Sequence, residues 1–269
     1  MNAMKLNRRG FLAATALAGL AGGLGLRPAR AGALDDIKKR GKVLIAIDLG
    51  SPPFGLTDAQ MQPTGSDVET ARLLAADLGV PLEIVQVTSP NRVPFLLTGK
   101  ADLVMASFSV NEERKKVIDF SDAYGVIQIV VAAGKGTPIK SIDDLAGKRI
   151  GTTRGSTNDK EATARITNAE IVRYDDDATL ITALVSGQVD VMASSPQVMA
   201  AVNLRRANDP LETKIVLKTN PYAIGLRKGD DALRARLNEF VAANLANGKL
   251  NEIYLKYNGV PLPAEMPKT

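Results

Sequence analysis

Short apolar runs alternate with amphipathic stretches along most of the chain. The run Val43–Ile47 has no polar interruption, which is typical of a strand buried on both faces. Apolar residues at helical spacing follow over 68–78, and Gly79 with Pro81 beyond it predicts the end of that helix. Further elements are predicted as strands at 82–87 and 103–106, with a short helix at 94–97 between them.

The same alternation returns in the second half of the chain. Strands are predicted at 149–151, 171–172 and 189–192, with helices after Gly155 and at 178–185. The segments 99–102 and 187–190 each join a helix to a buried strand through Gly and Asp, which indicates a loose internal duplication. Strands separated by helices predict an α/β fold with parallel sheet.

Two more apolar strands, at 126–133 and 222–226, bracket the second set and are predicted to connect two lobes. Helices at 231–245 and 250–257 end the pattern. No Ser/Pro-rich linker interrupts this part of the chain.

Two residue types are missing, and their absence narrows the chemistry. The 269 residues include no His and no Cys, while 45% are hydrophobic, as in ordinary globular proteins. The sequence therefore excludes a Ser-His-Asp triad, a Cys-His pair, a disulfide and the common zinc sites. We expect neither a metal nor a cofactor.

The first 31 residues have the pattern of an export signal. Arg8 and Arg9 precede an uncharged run over 11–26, and Ala29-Arg30-Ala31 offers a small-x-small cleavage site. The 16-residue run is shorter than the ~20 residues that span a bilayer, although a membrane anchor or a disordered tail is the alternative. The segment resembles a twin-arginine signal, with a Sec signal as the other route, and either implies a periplasmic protein.

Removal of this signal changes the charge balance. The signal carries five of the 34 basic residues and no acid, so 29 basic residues (34 − 5) face 29 acidic ones in the rest of the chain. The mature chain is neutral, and its composition gives no indication of nucleic-acid binding.

Motifs in a fixed order then point to a family. They are the segments 41–48, 52–54, 65–68, 91–94, 99–102, 111–114, 119–124, 143–148, 154–157, 187–190 and 227–230. Together they cover nearly the whole mature chain, which resembles the amino-acid-binding family of bacterial periplasmic solute-binding proteins, type II. The resemblance implies a two-lobed α/β fold with a two-strand hinge. It places lobe 1 at 32–126 plus 222–269 and lobe 2 at 127–221.

The resemblance also implies a function and partners. A small carboxylate ligand, usually an amino acid, is captured between the lobes and delivered to an inner-membrane ABC permease by a monomer. The alternative is a periplasmic enzyme on the same fold, similar to cyclohexadienyl dehydratases. The sequence shows no acid–base pair at a defensible spacing for that enzyme. A sensory domain is a third possibility, but no DNA-binding or signalling segment is present.

Arg114 matches the arginine with which the family binds the ligand's carboxylate. A guanidinium donates two parallel hydrogen bonds to a carboxylate and stays charged. The alternative is a solvated arginine in the charged run 112–116. Ser156 and Thr157 match the helix start that meets the same carboxylate from the other lobe, and they also suit ordinary N-capping.

The sequence departs from the family at three positions. Ser195 stands where the family usually has the acid that binds the α-ammonium, and Ser51 and Ser66 stand where aromatic residues often clamp the ligand. Asp48, at the carboxyl end of the first strand, is a candidate to bind an ammonium instead. The ligand is thus either an amino acid held by Asp48 or a carboxylate without that group.

The remaining candidates are polar residues near these motifs and one aromatic. Arg92, with Ser89 before it, resembles the Ser-x-x-Arg of acidic-amino-acid binders, unless it forms a salt bridge with Asp48 or Asp102. Phe54, Ser107 and Ser109 complete the expected ligand-binding set. The acidic run 175–177 lacks the alternating ligands of a calcium loop and is predicted to be a loop and helix cap.

Overall fold

The computed structural model describes residues 32–269, so the predicted export signal lies outside the described residues. As far as residue 134 the chain forms α1 (Ala33–Arg40), β1 (Val43–Ile47), β2 (Leu56–Thr57), β3 (Pro63–Thr64), α2 (Ser66–Leu78), β4 (Leu82–Gln86), α3 (Arg92–Leu97), β5 (Leu103–Val104), α4 (Glu112–Lys115) and β6 (Ile118–Gly134). It continues with β7 (Arg149–Thr153), α5 (Thr157–Arg165), β8 (Glu170–Tyr174), α6 (Asp177–Val185), β9 (Val191–Ser194), α7 (Pro196–Asn203), β10 (Leu211–Arg227), α8 (Asp231–Ala246) and α9 (Lys249–Asn258).

One eight-stranded sheet runs through the described residues in the order β4-β1-β5-β10-β6-β9-β7-β8. The outer three strands on each side are parallel to one another, as predicted. Strands β10 and β6 run antiparallel to each other and to their outer neighbours. The prediction of parallel sheet is confirmed for the six outer strands. The two predicted connecting strands lie at the centre and run antiparallel, because they carry the chain in opposite directions.

The two central strands are much longer than their apolar patterns predicted. Each has 17 residues, and their pairing is interrupted by several register shifts. The prediction missed the outer parts because polar residues such as Asp122 and Lys218 alternate with buried ones there. Such alternation is typical of antiparallel strands with one solvated face.

The order of strands reads alike from both edges. Outer strands β4-β1-β5 with β10 are matched by β8-β7-β9 with β6, which is the structural form of the duplication in the sequence. Ligands of such sheets bind beyond the carboxyl ends of the parallel strands. Both halves therefore present their strand-to-helix loops as candidate binding surfaces.

The buried apolar residues form four clusters, which divide the structure into two halves: one around β1 and one around β7. Two clusters contain only residues from the ranges 33–127 and 222–254, and two contain only residues from 129–217. Ile45 lies in the first group and Ile150 in the second, each on the middle strand of its parallel trio. Each half thus has its own core.

Several short elements escaped prediction. They are α1, the β2–β3 hairpin, α4 and α7, all of ten residues or fewer, with too few apolar positions to show a period. Among residues 32–269, no helix is both long and apolar enough to cross a membrane.

Candidate functional site

A narrow cavity of about 20 Å³ lies where loops of the two halves meet. Its lining comprises Asp48, Ser51, Phe54, Ser89, Arg92, Ala106, Ser107, Ser109 and Ile127, together with Ser156, Thr157, Asn158, Asp177, Ser195 and Val198. Nine of the predicted site residues are in this set, whereas Arg114 and Ser66 are not. The volume is close to that of one ordered water, so the halves enclose very little space.

The loop after β1 brings Asp48, Ser51 and Phe54 to the cavity. This loop folds back so closely that a Cβ on Gly55 would lie 2.2 Å from the carbonyl oxygen of Asp48, which only glycine permits. The backbone N–H of Gly50 donates to Asp48 Oδ1 at 3.0 Å. Burial, reinforced by the charge of Asp177, raises the pKa of Asp48 to about 6.

Two buried arginines share one aromatic ring. The guanidinium carbons of Arg92 and Arg114 lie 5.3 Å and 4.3 Å from the centre of the Phe108 ring. Arg92 donates to the carbonyl of Ala106 at 2.7 Å and to Ser89 Oγ at 2.8 Å. Arg92 lines the cavity directly, whereas Arg114 lies just outside the lining.

Neither arginine forms an ion pair within 4.0 Å with an acid of residues 32–269. The proposed salt bridge of Arg92 with Asp102 is wrong, because Asp102 pairs with Arg40 and accepts the N–H of Leu44 at 2.8 Å. Burial lowers the pKa of both guanidiniums, and the charge of Arg92 lowers that of Arg114 further. Buried cations without a direct carboxylate partner favour an anion as their ligand.

Arg114 is 6% exposed, so the alternative of a solvated arginine is wrong. Its Nη1 donates to the carbonyl oxygen of Ser109 at 2.6 Å, and the hydroxyls of Ser109 and Thr157 lie 3.2 Å apart. Ser109 is therefore the point at which an arginine of one half and a helix start of the other meet.

The hydroxyls of Ser156 and Ser195 are occupied as helix caps. Ser156 Oγ accepts the N–H of Asp159 at 3.0 Å at the start of α5, and Ser195 Oγ accepts the N–H of Val198 at 3.2 Å at the start of α7. Both caps satisfy backbone donors that would otherwise lack partners. Thr157, the first residue of α5, has its hydroxyl directed toward the other half.

Ser66 begins α2 away from the cavity. It is buried, and its hydroxyl has no hydrogen-bond partner within residues 32–269. The adjacent Asp67 accepts the N–H of Ser107 at 2.7 Å and the hydroxyl of Tyr124 at 3.2 Å. Burial raises the pKa of Asp67 to about 7. A second carboxyl with a raised pKa therefore holds the backbone of Ser107, a residue of the cavity lining.

Asp177 is the main site residue that the sequence analysis missed. The prediction of a loop and cap holds for Asp176, which accepts the N–H of Thr179 at 2.7 Å. Asp177 instead begins α6, lines the cavity and accepts hydrogen bonds from Thr153 and, across the cavity, from Ser51. Its desolvation raises its pKa. Ser89, which the sequence paired with Arg92, also lines the cavity, as do Ala106, Ile127, Asn158 and Val198, which were not predicted in the site.

Other contacts cross between the halves around the cavity. Lys160 pairs with Glu113, and Gln197 Nε2 donates to Asn258 Oδ1 at 2.8 Å. A Cβ on Gly155 would come within 3.2 Å of Pro90. The loops of the two halves thus touch directly, and anything larger than water requires them to part.

The comparisons with known proteins agree with this arrangement. Residues 43–260 match the family model described as bacterial extracellular solute-binding proteins, family 3. The chain belongs to this family. The match spans both halves of the sheet, from β1 to the end of α9.

Curated relatives in this family include two with different named ligands. The ABC transporter glutamine-binding protein GlnH of Bacillus subtilis is 29% identical over 226 residues, covering 82% of each chain. The L-cystine-binding protein TcyJ of Escherichia coli K12 is 29% identical over 263 residues, covering 96% of this chain and 98% of the relative.

Solved structures of similar fold include an ancestral amino-acid-binding protein described as a precursor of cyclohexadienyl dehydratase. It has a TM-score of 0.77 and 30% identity, covering 84% of this chain and 99% of that one. The solute-binding fold is therefore established for this chain.

Proposed function

We propose that the protein is the periplasmic solute-binding component of an ABC importer, and that it captures an amino acid or a related small carboxylate. The observation that carries the proposal is the pair of buried arginines, which have no acid within 4.0 Å among residues 32–269, beside the contact between the halves. A ligand carboxylate supplies the missing negative charge. The named relatives that bind glutamine and cystine support the amino-acid class.

The carboxylate binds around Ser109. Arg114 already reaches the backbone of this residue, and Thr157 reaches its hydroxyl. When the halves part, the bond between the two hydroxyls breaks and both become donors for the incoming carboxylate. The free N–H groups at the start of α5 add donors, as helix N-termini do for anions.

A screen of amino acids and small carboxylates by thermal shift tests this function. A ligand at ~100 times its dissociation constant adds ~2.7 kcal/mol to the stability of the folded protein. We expect at least one amino acid to raise Tm and to bind in calorimetry. A screen in which no amino acid and no small carboxylate binds would refute the proposed function.

Capture involves a hinge, in our proposal, between a lobe at 32–126 plus 222–269 and a lobe at 127–221. Its support is the separation of the cores and the two antiparallel strands β6 and β10, which are the strands among residues 32–269 that continue through both halves. Two connecting strands permit a hinge motion. Small-angle scattering should show a smaller radius of gyration with ligand, and an unchanged radius at saturation would indicate a rigid protein.

The second candidate function is a periplasmic dehydratase. It is favoured by the carboxyl of Asp48 in the cavity, whose pKa burial raises to about 6, and by the solved ancestral relative. Incubation with prephenate decides between the two, because an enzyme would release phenylpyruvate whereas a transport protein would leave prephenate unchanged.

A further inference from the structure

We propose that Asp48 and Asp177, from opposite halves, form a subsite for a cationic group of the ligand, an ammonium or a guanidinium. This subsite takes the role of the acid that is absent at Ser195. The inference rests on the proposed function, because it assumes that a small molecule enters this cavity.

The two carboxyl groups reach the cavity from opposite halves. Asp48 follows β1, and Asp177 is the first residue of α6, which follows β8. Both line the cavity, and the hydroxyl of Ser51, three residues after Asp48, donates to Asp177. A Cβ on Gly50 would lie 3.5 Å from the Cβ of Asp176, so the two loops abut.

Asp48 has acceptor capacity to spare. The residue is 5% exposed, and its only hydrogen bond within residues 32–269 is the one from Gly50 to Oδ1. Its Oδ2 therefore accepts nothing from the described residues while the side chain lines the cavity. Among the described residues the buried side-chain atoms without a partner are Ser66 Oγ and Gln197 Oε1, so Asp48 Oδ2 stays open to a donor that enters the cavity.

The charges that face the cavity are unequal. Asp48 and Asp177 contribute two carboxyls, whereas Arg92 contributes one guanidinium and none of the three is ion-paired within 4.0 Å among residues 32–269. The charge of Asp177 opposes ionisation of Asp48, and the charge of Arg92 only partly offsets this. A ligand cation between the two acids removes the imbalance.

Ser195 does not compete for this role. Its hydroxyl caps α7 and carries no charge, so its interaction with an ammonium would be weaker than that of a carboxylate. The ligand carboxylate at Ser109 and the ligand cation at Asp48 and Asp177 then occupy separate parts of one cavity. The ligand is accordingly a small carboxylate that carries an amine.

Four five-carbon acids separate the two possible sources of the cation. L-Ornithine carries an α-ammonium and a δ-ammonium, L-norvaline only the first, 5-aminopentanoate only the second, and pentanoate neither. Calorimetry on the full mature protein compares them with wild type and with Asp177→Asn, Asp48→Asn and the control Asp175→Asn. Asp175 lies two residues from Asp177 on the same loop, and its side chain is 85% exposed.

We expect the amine-bearing acids to bind about tenfold or more tightly than pentanoate. Asp177→Asn and Asp48→Asn should each remove most of that preference, whereas Asp175→Asn should keep it. If norvaline is the sensitive compound the subsite binds the α-ammonium, and if 5-aminopentanoate is sensitive it binds a side-chain cation.

Asn at position 48 can still accept the Gly50 N–H, so this variant checks the result if Asp177→Asn unfolds. Equal binding of pentanoate and its amines, binding by no amine-bearing member, or a preference that survives both substitutions would overturn the subsite. Binding of succinate or other amine-free acids in the screen would then leave the transport function standing without it.

Discussion

The two halves of the sheet have the same strand order but bring different chemistry to the cavity. The half built on β1 supplies Asp48, Arg92 and, just outside the lining, Arg114, all of which are charged and buried. The half built on β7 supplies mainly hydroxyls at helix starts, and among the described residues Asp177 is its one charged residue in the lining.

One pair of positions makes the comparison concrete. Arg92 begins α3 and Asp177 begins α6, and each helix follows the edge strand of its half. Both helices lead through a glycine with φ of +73°, Gly99 or Gly187, to the next inner strand. The shared frame places the first residue of each helix at the cavity, and the sequence then makes one cationic and the other anionic.

Substitution of Arg114 should have the largest effect on affinity, because this arginine of the half built on β1 is proposed to bind the ligand carboxylate. Arg114→Lys keeps the charge but loses the planar fork, and we expect affinity for the ligand returned by the screen to fall by about 2–5 kcal/mol. Calorimetry measures the loss. Arg154→Lys, in the other half with a side chain 53% exposed, is the matched control. Near-wild-type affinity of the Arg114 variant would show that this arginine has only a structural role.

The charged half should also make stability depend on pH. The pKa values of Asp48 and Asp67 are raised to about 6 and about 7, so their stabilising effect is complete below pH 4 and is lost as pH rises through those values. We expect the free energy of unfolding of the unliganded protein to fall by about 2–4 kcal/mol between pH 5 and pH 8.

Urea titrations across this range provide the measurement. Asp48→Asn should flatten the fall near pH 6 and stabilise the unliganded protein at pH 8, since no charge is then buried at position 48. Stability that rises through the same range would contradict the assignment of these two carboxyls.

The half built on β7, which supplies mainly hydroxyls, should contribute less to ligand affinity. Thr157→Val removes one donor to the carboxylate without changing the charge, and we expect affinity to fall by about tenfold. Thr182→Val is the control, because its hydroxyl bonds only to its own helix at Ala178. Equal affinity of both variants would remove Thr157 from the clamp.

The exposed contact between the halves should matter least. Lys160 pairs with Glu113, and their side chains are 43% and 68% exposed. Lys160→Ala should therefore change affinity by less than about fivefold, as expected of a solvated ion pair. A larger change would mean that closure itself depends on this pair. If the difference in affinity between variant and wild type then vanished at high salt, the ion pair would be confirmed as the cause.

Most of the helices and strands were predictable from the sequence, because they depend on local patterns of apolar and polar residues. The strands β1, β4, β7 and β8 and the helices α2, α6, α8 and α9 appear within a few residues of their predicted bounds. Their apolar spacing and terminal glycines act over a few residues, so the sequence displays them directly. The length of β6 and β10 was not predictable, since their alternating ends are stabilised by each other and not by a local signal.

The site was predictable in part for the same reason. Asp48, Arg92, Ser109 and Thr157 follow strands or begin helices, and motif order brought them together. Asp177 was missed because three successive aspartates look alike in sequence, and only the path of α6 decides which one faces the cavity.

The sequence by itself determined the α/β frame, its duplication and the types of side chain available for binding. The tertiary structure decided that Arg114 packs on Phe108 behind Ser109, that Ser156 and Ser195 act as caps, and that Ser66 lies away from the cavity. These outcomes depend on distances between segments far apart in the chain. Such distances are set by how the two halves pack, which no local pattern encodes.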